Sequence, residues 1–182
     1  MNEQAMTQFL NPPLIVKQAD VKQGEVVADF GCGAGYFSLA CAQAVGTDGT
    51  VTAFDILPQA LESVESRAKV MHLSNITTKR VNLEKERGSG LEDGSMNWVV
   101  MKDMLFQNKD KKSVLAEAYR VLRHGGKALI VEWKAMDATI GPAKDTRIGQ
   151  EDLTRLVHEI GFTVGRTVDA GPYHYSFIAE KE

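Results

Sequence analysis

The chain has 182 residues, a length that suits one compact domain with its own core. Its 24 acidic and 21 basic residues leave a formal net charge of -3, so no basic excess draws a nucleic-acid backbone and a general nucleic-acid binder is disfavoured. The two cysteines, Cys32 and Cys41, form neither a CxxC pair nor a zinc-spaced cluster with histidine, which argues against a metal site and for a reducing compartment.

Residues 1–13 read as a flexible N-terminal arm, irregular at Pro12 and Pro13. The opening MNEQAMTQFL lacks a basic-then-apolar leader, and no apolar run approaches the roughly 18–20 residues of a membrane span, so a cytoplasmic protein is expected. Leu14 to Asp20 suits a short helix. Glu25 to Phe30 (EVVADF) is a short apolar run, stopped by glycines, of the kind that forms a buried parallel strand. Tyr36 to Val45 reads as a buried helix and Thr50 to Asp55 as a second strand. Pro58 suits the first turn of the next helix, where Leu61, Val64, Ala68 and Met71 recur at helical spacing. Ile76–Leu83 and Asn97–Lys102 are the third and fourth strands, separated by a charged, solvated loop over Lys85–Gly94. Lys111–Leu122 is a helix that Gly125-Gly126 should end. Lys127–Trp133 is a fifth strand. Residues 134–149 form a loop, and Glu151–Ile160 is a last helix stopped by Gly161. Phe162–Val168 and Tyr173–Ala179 close the chain as two strands about a short turn.

Strand–helix alternation implies right-handed crossovers and a sheet covered on both faces. The terminal turn is too short for a crossover, so the last strand must run antiparallel to its predecessor. The expected fold is therefore α/β, Rossmann-like and doubly wound: a mostly parallel seven-stranded sheet with a C-terminal antiparallel hairpin strand, in one domain.

The informative stretch is Asp29-Phe30-Gly31-Cys32-Gly33-Ala34-Gly35, where the first strand meets the first buried helix. Glycines there can take positive φ and let a ligand approach the backbone. A dinucleotide fingerprint would need a third glycine at position 36, which is tyrosine. Asp55 ends the second strand, where a carboxylate can accept hydrogen bonds from both ribose hydroxyls of an adenosine ligand.

These stretches resemble the class I S-adenosylmethionine (SAM)-dependent methyltransferases, in particular the small-molecule group that includes the ubiquinone/menaquinone-biosynthesis C-methyltransferases. VVADFGCGAGYFSL resembles the family's first motif, VTAFDI its ribose motif, and VNLE at 81–84 its adenine motif. LEDGSMNWVVMKDML and LAEAYRVLRHGGKALIVEW resemble its fourth and fifth strands with the helix between. The resemblance implies S-adenosyl-L-methionine as cofactor. It implies that Gly31, Cys32, Gly33 and Gly35 border the methionyl part and that Asp29 holds its amino group. It implies that Asp55 binds the ribose, Ile56 packs on the adenine, and Asn82, Leu83 and Glu84 border that ring. It implies that Lys102 and Asp103 end the fourth strand facing the transferred methyl. Asn82 stands where many relatives have Asp, and Phe106 where they often have a polar residue or His.

Methyl transfer from a sulfonium is an in-line displacement in which the protein aligns the partners and removes an acceptor proton where there is one. Asp103 is the candidate base; pairing with Lys102, or capping the next segment, is the alternative. His72 and His124 read as structural, and His158 as a partly exposed mid-helix residue. His174 opens the last strand and is either an ordinary hairpin residue or part of the acceptor pocket. Tyr36 is a candidate for the cofactor carboxylate, Phe37 for the core, and Trp133 for either the core or the acceptor pocket. The resemblance also invites an arsenite methyltransferase reading, whose chemistry uses several exposed thiols; the presence of only two cysteines weakens it. The acceptor is expected to be a small molecule, its pocket open or completed by a second copy in a homodimer. A SAM-binding protein without catalysis and a nicotinamide-dependent oxidoreductase are the competing readings.

Overall fold

The computed structural model describes residues 10–182; the arm expected over residues 1–13 lies mostly outside them. Its elements in chain order are α1 (Pro12–Ala19), β1 (Val26–Phe30), α2 (Tyr36–Val45), β2 (Thr50–Asp55), α3 (Pro58–Val70), β3 (Ile76–Arg80) and β4 (Met96–Lys102). They continue with α4 (Lys111–Val121), β5 (Leu122–Trp133), a 3-10 turn (Lys144–Thr146), α5 (Gln150–Ile160), β6 (Thr163–Val164) and β7 (His174–Glu180). The seven strands form one sheet in the order β3-β2-β1-β4-β5-β7-β6. Strands β1 to β5 pair in parallel, and β7 runs antiparallel to both β5 and β6.

Alternation along each strand divides the core. Phe30, Val99, Met101, Ile130 and Phe177 face α4 and α5, where Val114, Leu115, Ala118, Leu153 and Val157 meet them. Val27, Val51, Trp98, Val100, Leu129 and Val131 face the other way, onto Ile15 and Val16 of α1 and Phe37 and Cys41 of α2. Phe37 is thus core, as expected. The third helix covers β2 through Leu61 and Val64.

Several boundaries differ from the sequence reading. Pro12 and Pro13 belong to α1, not to an irregular arm: Asn11 caps the helix by accepting from Leu14 N–H at 3.1 Å, and proline suits a first turn whose N–H groups have no intrahelical partner. The Gly125-Gly126 pair does not stop α4. The helix passes into extended backbone at Leu122, and Gly125 (φ +71°) makes a turn inside the run assigned to β5. The third strand stops at Arg80, and β6 keeps only two paired residues. The Lys85–Gly94 loop is not simply solvated. Ser89 is fully buried and donates through its N–H (2.9 Å) and hydroxyl (2.5 Å) to Glu117 of α4. Arg120 grips the same carboxylate through Nε and Nη2, and reaches Leu91 O and Asp93.

Candidate active site

Strand order reverses between β1 and β4, and in such sheets the ligand crevice opens at the carboxyl ends of the strands on either side of the reversal. Both expected groups of site residues lie along that edge. The glycine loop follows β1 and Asp55 ends β2. Lys102 ends β4, Asp103 follows it, Trp133 ends β5, and the antiparallel β7 brings His174 to the same edge.

The glycine loop has one architecture and two tasks. Gly31, Gly33 and Gly35 all take positive φ (70°, 51° and 84°). A Cβ at Gly31 would lie 2.9 Å from Met104 Cβ, and one at Gly35 would lie 2.7 Å from Val64 Cγ2; these two let the loop pack against its own fold. A Cβ at Gly33 would meet nothing within 4 Å, so its freedom serves the open side. Gly33 N–H donates to Asp55 Oδ2 at 3.0 Å, and Leu57 N–H donates to Oδ1 at 2.9 Å. A carboxylate has about four lone-pair sites. Asp55 therefore clips the glycine loop to the segment after β2 and retains acceptor capacity. Ile56 and Leu57 beside it are 54% and 59% exposed, an unusual position for two large apolar side chains. The clip and the apolar pair together fit a ribose joined to a flat ring.

Asp29 is buried at the end of β1 and accepts from Ser38 Oγ of α2 at 2.5 Å. Burial is the main cause that lifts its carboxyl to about 6, against the opposing Ser38 hydrogen bond. Cys32 is buried, and desolvation pushes its thiol well above the usual range; Cys41 is raised for the same reason. Neither is a ready thiolate.

The residues expected around adenine are used differently. Leu83 is turned into the main core. Glu84 accepts from Asn108 Nδ2 (2.9 Å), Lys109 N–H and Asp110 N–H (both 3.2 Å), and thereby ties the turn that opens α4. The Asn108 bond chiefly holds its carboxyl below the usual range. Asn82 accepts from Glu84 N–H through Oδ1 at 3.0 Å. Tyr36 is engaged by Arg67, whose Nη2 donates to its hydroxyl at 3.1 Å and whose guanidinium lies 4.5 Å from the ring centre.

Across the crevice, Lys102 Nζ lies 2.5 Å from Asp103 Oδ2, the pairing weighed from the sequence. His174 Nε2 reaches the same oxygen at 3.2 Å. His174 is 3% exposed, and its ring lies 4.1 Å from the Trp133 ring centre. On Trp133, Gly141 packs against the six-membered ring, and the Arg147 guanidinium lies 5.2 Å from the ring centre. Trp133 is thus a packed spacer behind His174. His72, His124 and His158 are all exposed, away from this group.

Two contributors escaped the sequence. Glu132 is fully buried and accepts from Leu105 N–H at 2.7 Å, holding the turn that carries Asp103. Burial, then the charge of Asp103, push its carboxyl up to about 8. Its only signal was an acid inside the apolar run ALIVEW. Arg147 is buried and donates to Lys134 O, Met136 O, Ile140 O and Pro142 O, so the 134–149 loop is folded around one guanidinium. Among the described residues no group of three or more His, Cys, Asp or Glu could hold a metal ion, and no helix is long and apolar enough to cross a membrane.

Comparison with known proteins agrees with this arrangement. A methyltransferase-domain family model matches residues 21–161. The chain is 28% identical over 171 residues to an arsenite methyltransferase of Aquipseudomonas alcaligenes, covering 85% of this chain and 49% of the relative. It is 29% identical over 121 residues to a demethylmenaquinone methyltransferase of Oceanobacillus iheyensis, covering 64% and 48%. The chain spans about half the length of these curated relatives. A solved SAM-dependent methyltransferase from Aquifex aeolicus shares the fold, with a TM-score of 0.90, 22% identity, and coverage of 99% and 94%. The chain belongs to the class I SAM-dependent methyltransferase family.

Proposed function

We propose that this chain, acting as one domain, transfers the methyl group of S-adenosyl-L-methionine to a small-molecule acceptor. The observation that carries the reading is Asp55, clipped between Gly33 N–H and Leu57 N–H beside two exposed apolar side chains, and set across the strand reversal from Lys102 and Asp103. In this reading Asp55 accepts from the ribose hydroxyls, and Ile56 and Leu57 supply the apolar wall for adenine. Gly31, Cys32, Gly33 and Gly35 border the methionyl part, with Asp29 behind them. Asn82 and Glu84 shape the adenine side, Glu84 by fixing the turn that opens α4, while Leu83 between them is turned into the core. When bound, the cofactor supplies an activated methyl on a sulfonium. The protein holds the acceptor in line with it and excludes water.

Arsenite, the acceptor in one relative's name, is not the acceptor proposed here, because both cysteines are buried with raised pKa. A reducing cytoplasm suits these unpaired thiols, and a second copy of the chain is the proposed cover of an open acceptor pocket. Incubation with methyl-labelled SAM and a panel of phenols, quinols, amines and thiols tests the reading. Label transferred to a small molecule supports it; SAM binding without transfer across the panel counts against catalysis.

A further inference from the structure

The acceptor end of the sheet carries positive charge that no acid answers. Arg147 is buried, and its guanidinium donates to Lys134 O, Met136 O, Ile140 O and Pro142 O at 2.7–3.2 Å. Those bonds satisfy its N–H groups but bring no negative charge. Lys134 follows β5, and its Nζ donates to Gly171 O at 3.3 Å and Pro172 O at 3.1 Å. An ammonium has three donors, so one N–H of Lys134 is left over. Neither cation takes part in an ion pair among the described residues. Both flank the same aromatic pair. The Arg147 guanidinium lies 5.2 Å from the Trp133 ring centre, and the Trp133 and His174 ring centres are 4.1 Å apart. Lys134 is the next residue after Trp133, and the carbonyls that it binds come shortly before His174.

The neighbouring acids are engaged or neutral. Asp103 Oδ2 takes Lys102 Nζ at 2.5 Å and His174 Nε2 at 3.2 Å. Asp137 pairs with Lys144 and Asp152 with Arg155, all four at the surface, and Asp145 is exposed. Glu132 is fully buried; burial, then the charge of Asp103, push its carboxyl up to about 8, so near pH 7 it is mostly uncharged. A charge held out of water is costly until an opposite charge meets it. The remaining surface at this end is partly apolar, with Phe106 half-buried on the turn after β4 and Met136 40% exposed on the 134–149 loop.

We propose that the acceptor is a small organic anion, a carboxylate or a phosphate ester, whose acidic group Lys134 binds and the charge of Arg147 favours. The inference deepens the methyl-transfer reading above and rests on it. Lys134 supplies a charge-assisted hydrogen bond through its remaining N–H. Arg147 has its donors committed to carbonyls and acts through its field, which a buried position screens less than an exposed one. Asp103 acts in the opposite sense. Its carboxylate repels the acid from the end of β4, so the acceptor is oriented with its acid toward Lys134 and its nucleophile toward the cofactor.

The test titrates benzoate and phenyl phosphate, and their uncharged counterparts benzamide and benzyl alcohol, into protein saturated with S-adenosylhomocysteine at pH 7, read by calorimetry. One of the two anions is expected to bind the wild type at least about tenfold more tightly than its counterpart, and which one does so identifies the acid. Lys134→Met keeps the stem and removes the charge, so it should lose the preference; Lys134→Arg should keep it. Rising salt should weaken the anion and leave the uncharged compounds unaffected. Both variants should bind S-adenosylhomocysteine like the wild type. Where Lys134→Met fails to bind it, the salt series on the wild type decides, and anion binding indifferent to salt overturns the inference. Equal binding of charged and uncharged compounds, no binding of either anion, or a preference that survives in Lys134→Met overturns the inference while leaving the methyl-transfer reading intact. Failure of the wild type to bind S-adenosylhomocysteine overturns that reading, and the inference with it.

Discussion

Alanine at Gly33 and alanine at Gly35 should fail for different reasons. Both glycines hold positive φ, so alanine at either meets the left-handed cost of roughly 1–2 kcal/mol. At Gly35 the added methyl also meets Val64 Cγ2 at 2.7 Å and Val64 Cα at 3.3 Å. The second of these is helix backbone and cannot swing away. Overpacking of that kind adds about 1–3 kcal/mol, so Gly35→Ala should lose about 2–5 kcal/mol of stability. At Gly33 the methyl meets nothing, and the loss should stay near 1–2 kcal/mol. The open space at Gly33 is where the proposed cofactor lies, so this milder variant should bind S-adenosylhomocysteine at least about tenfold more weakly, or about 1.4 kcal/mol. Urea unfolding gives the first quantity and calorimetric titration the second. If Gly33→Ala bound like the wild type, the loop would not be a ligand cradle. If Gly35→Ala were no less stable than Gly33→Ala, the packing argument would fail.

Glu132 predicts a pH dependence. Its folded pKa is raised to about 8 from an ordinary 4.5, so the folded state holds more protons between those values. Its contribution to stability is intact below the unfolded pKa and is lost as pH rises through 8. Glu132→Gln should therefore gain stability relative to the wild type between pH 5 and pH 9 in urea melts; a pH-independent difference would contradict the assignment. Glu117→Ala leaves the buried Ser89 N–H and hydroxyl without their acceptor while Arg120 keeps Asp93, and should cost about 1–3 kcal/mol without weakening S-adenosylhomocysteine binding. Arg147→Ala removes the donor to carbonyls of the 134–149 loop. It should speed amide exchange and proteolysis across residues 134–149, and unchanged exchange there would show that the loop does not depend on the guanidinium.

Much of the fold was legible because parallel strands read as short apolar runs and glycines mark their ends. EVVADF and NWVVMK were placed within one residue. The departures share a cause: glycines and charges take their meaning from partners elsewhere in the fold. Gly125-Gly126 resembled a helix stop, but Leu122 had already passed to extended backbone. The charged 85–94 loop resembled solvent-facing chain, but Ser89 and Asp93 answer Glu117 and Arg120 from α4. The cofactor half of the site lies in two short stretches, so Gly33 and Asp55 were recoverable by spacing. The acceptor half joins residues 71 apart, Asp103 and His174, which only the antiparallel return of β7 brings together. Glu132 and Arg147 act on backbone groups of other segments, and no local pattern encodes that.

The most direct test of the account is calorimetric titration of the wild type and of Asp55→Asn with S-adenosylhomocysteine. The asparagine keeps an acceptor for one of the two backbone N–H groups and loses the charge. The account predicts a saturable one-site isotherm for the wild type and binding at least about tenfold weaker for the variant. Equal affinity in the two proteins would remove Asp55 from the site, and no binding by the wild type would contradict the cofactor assignment on which the proposed function stands.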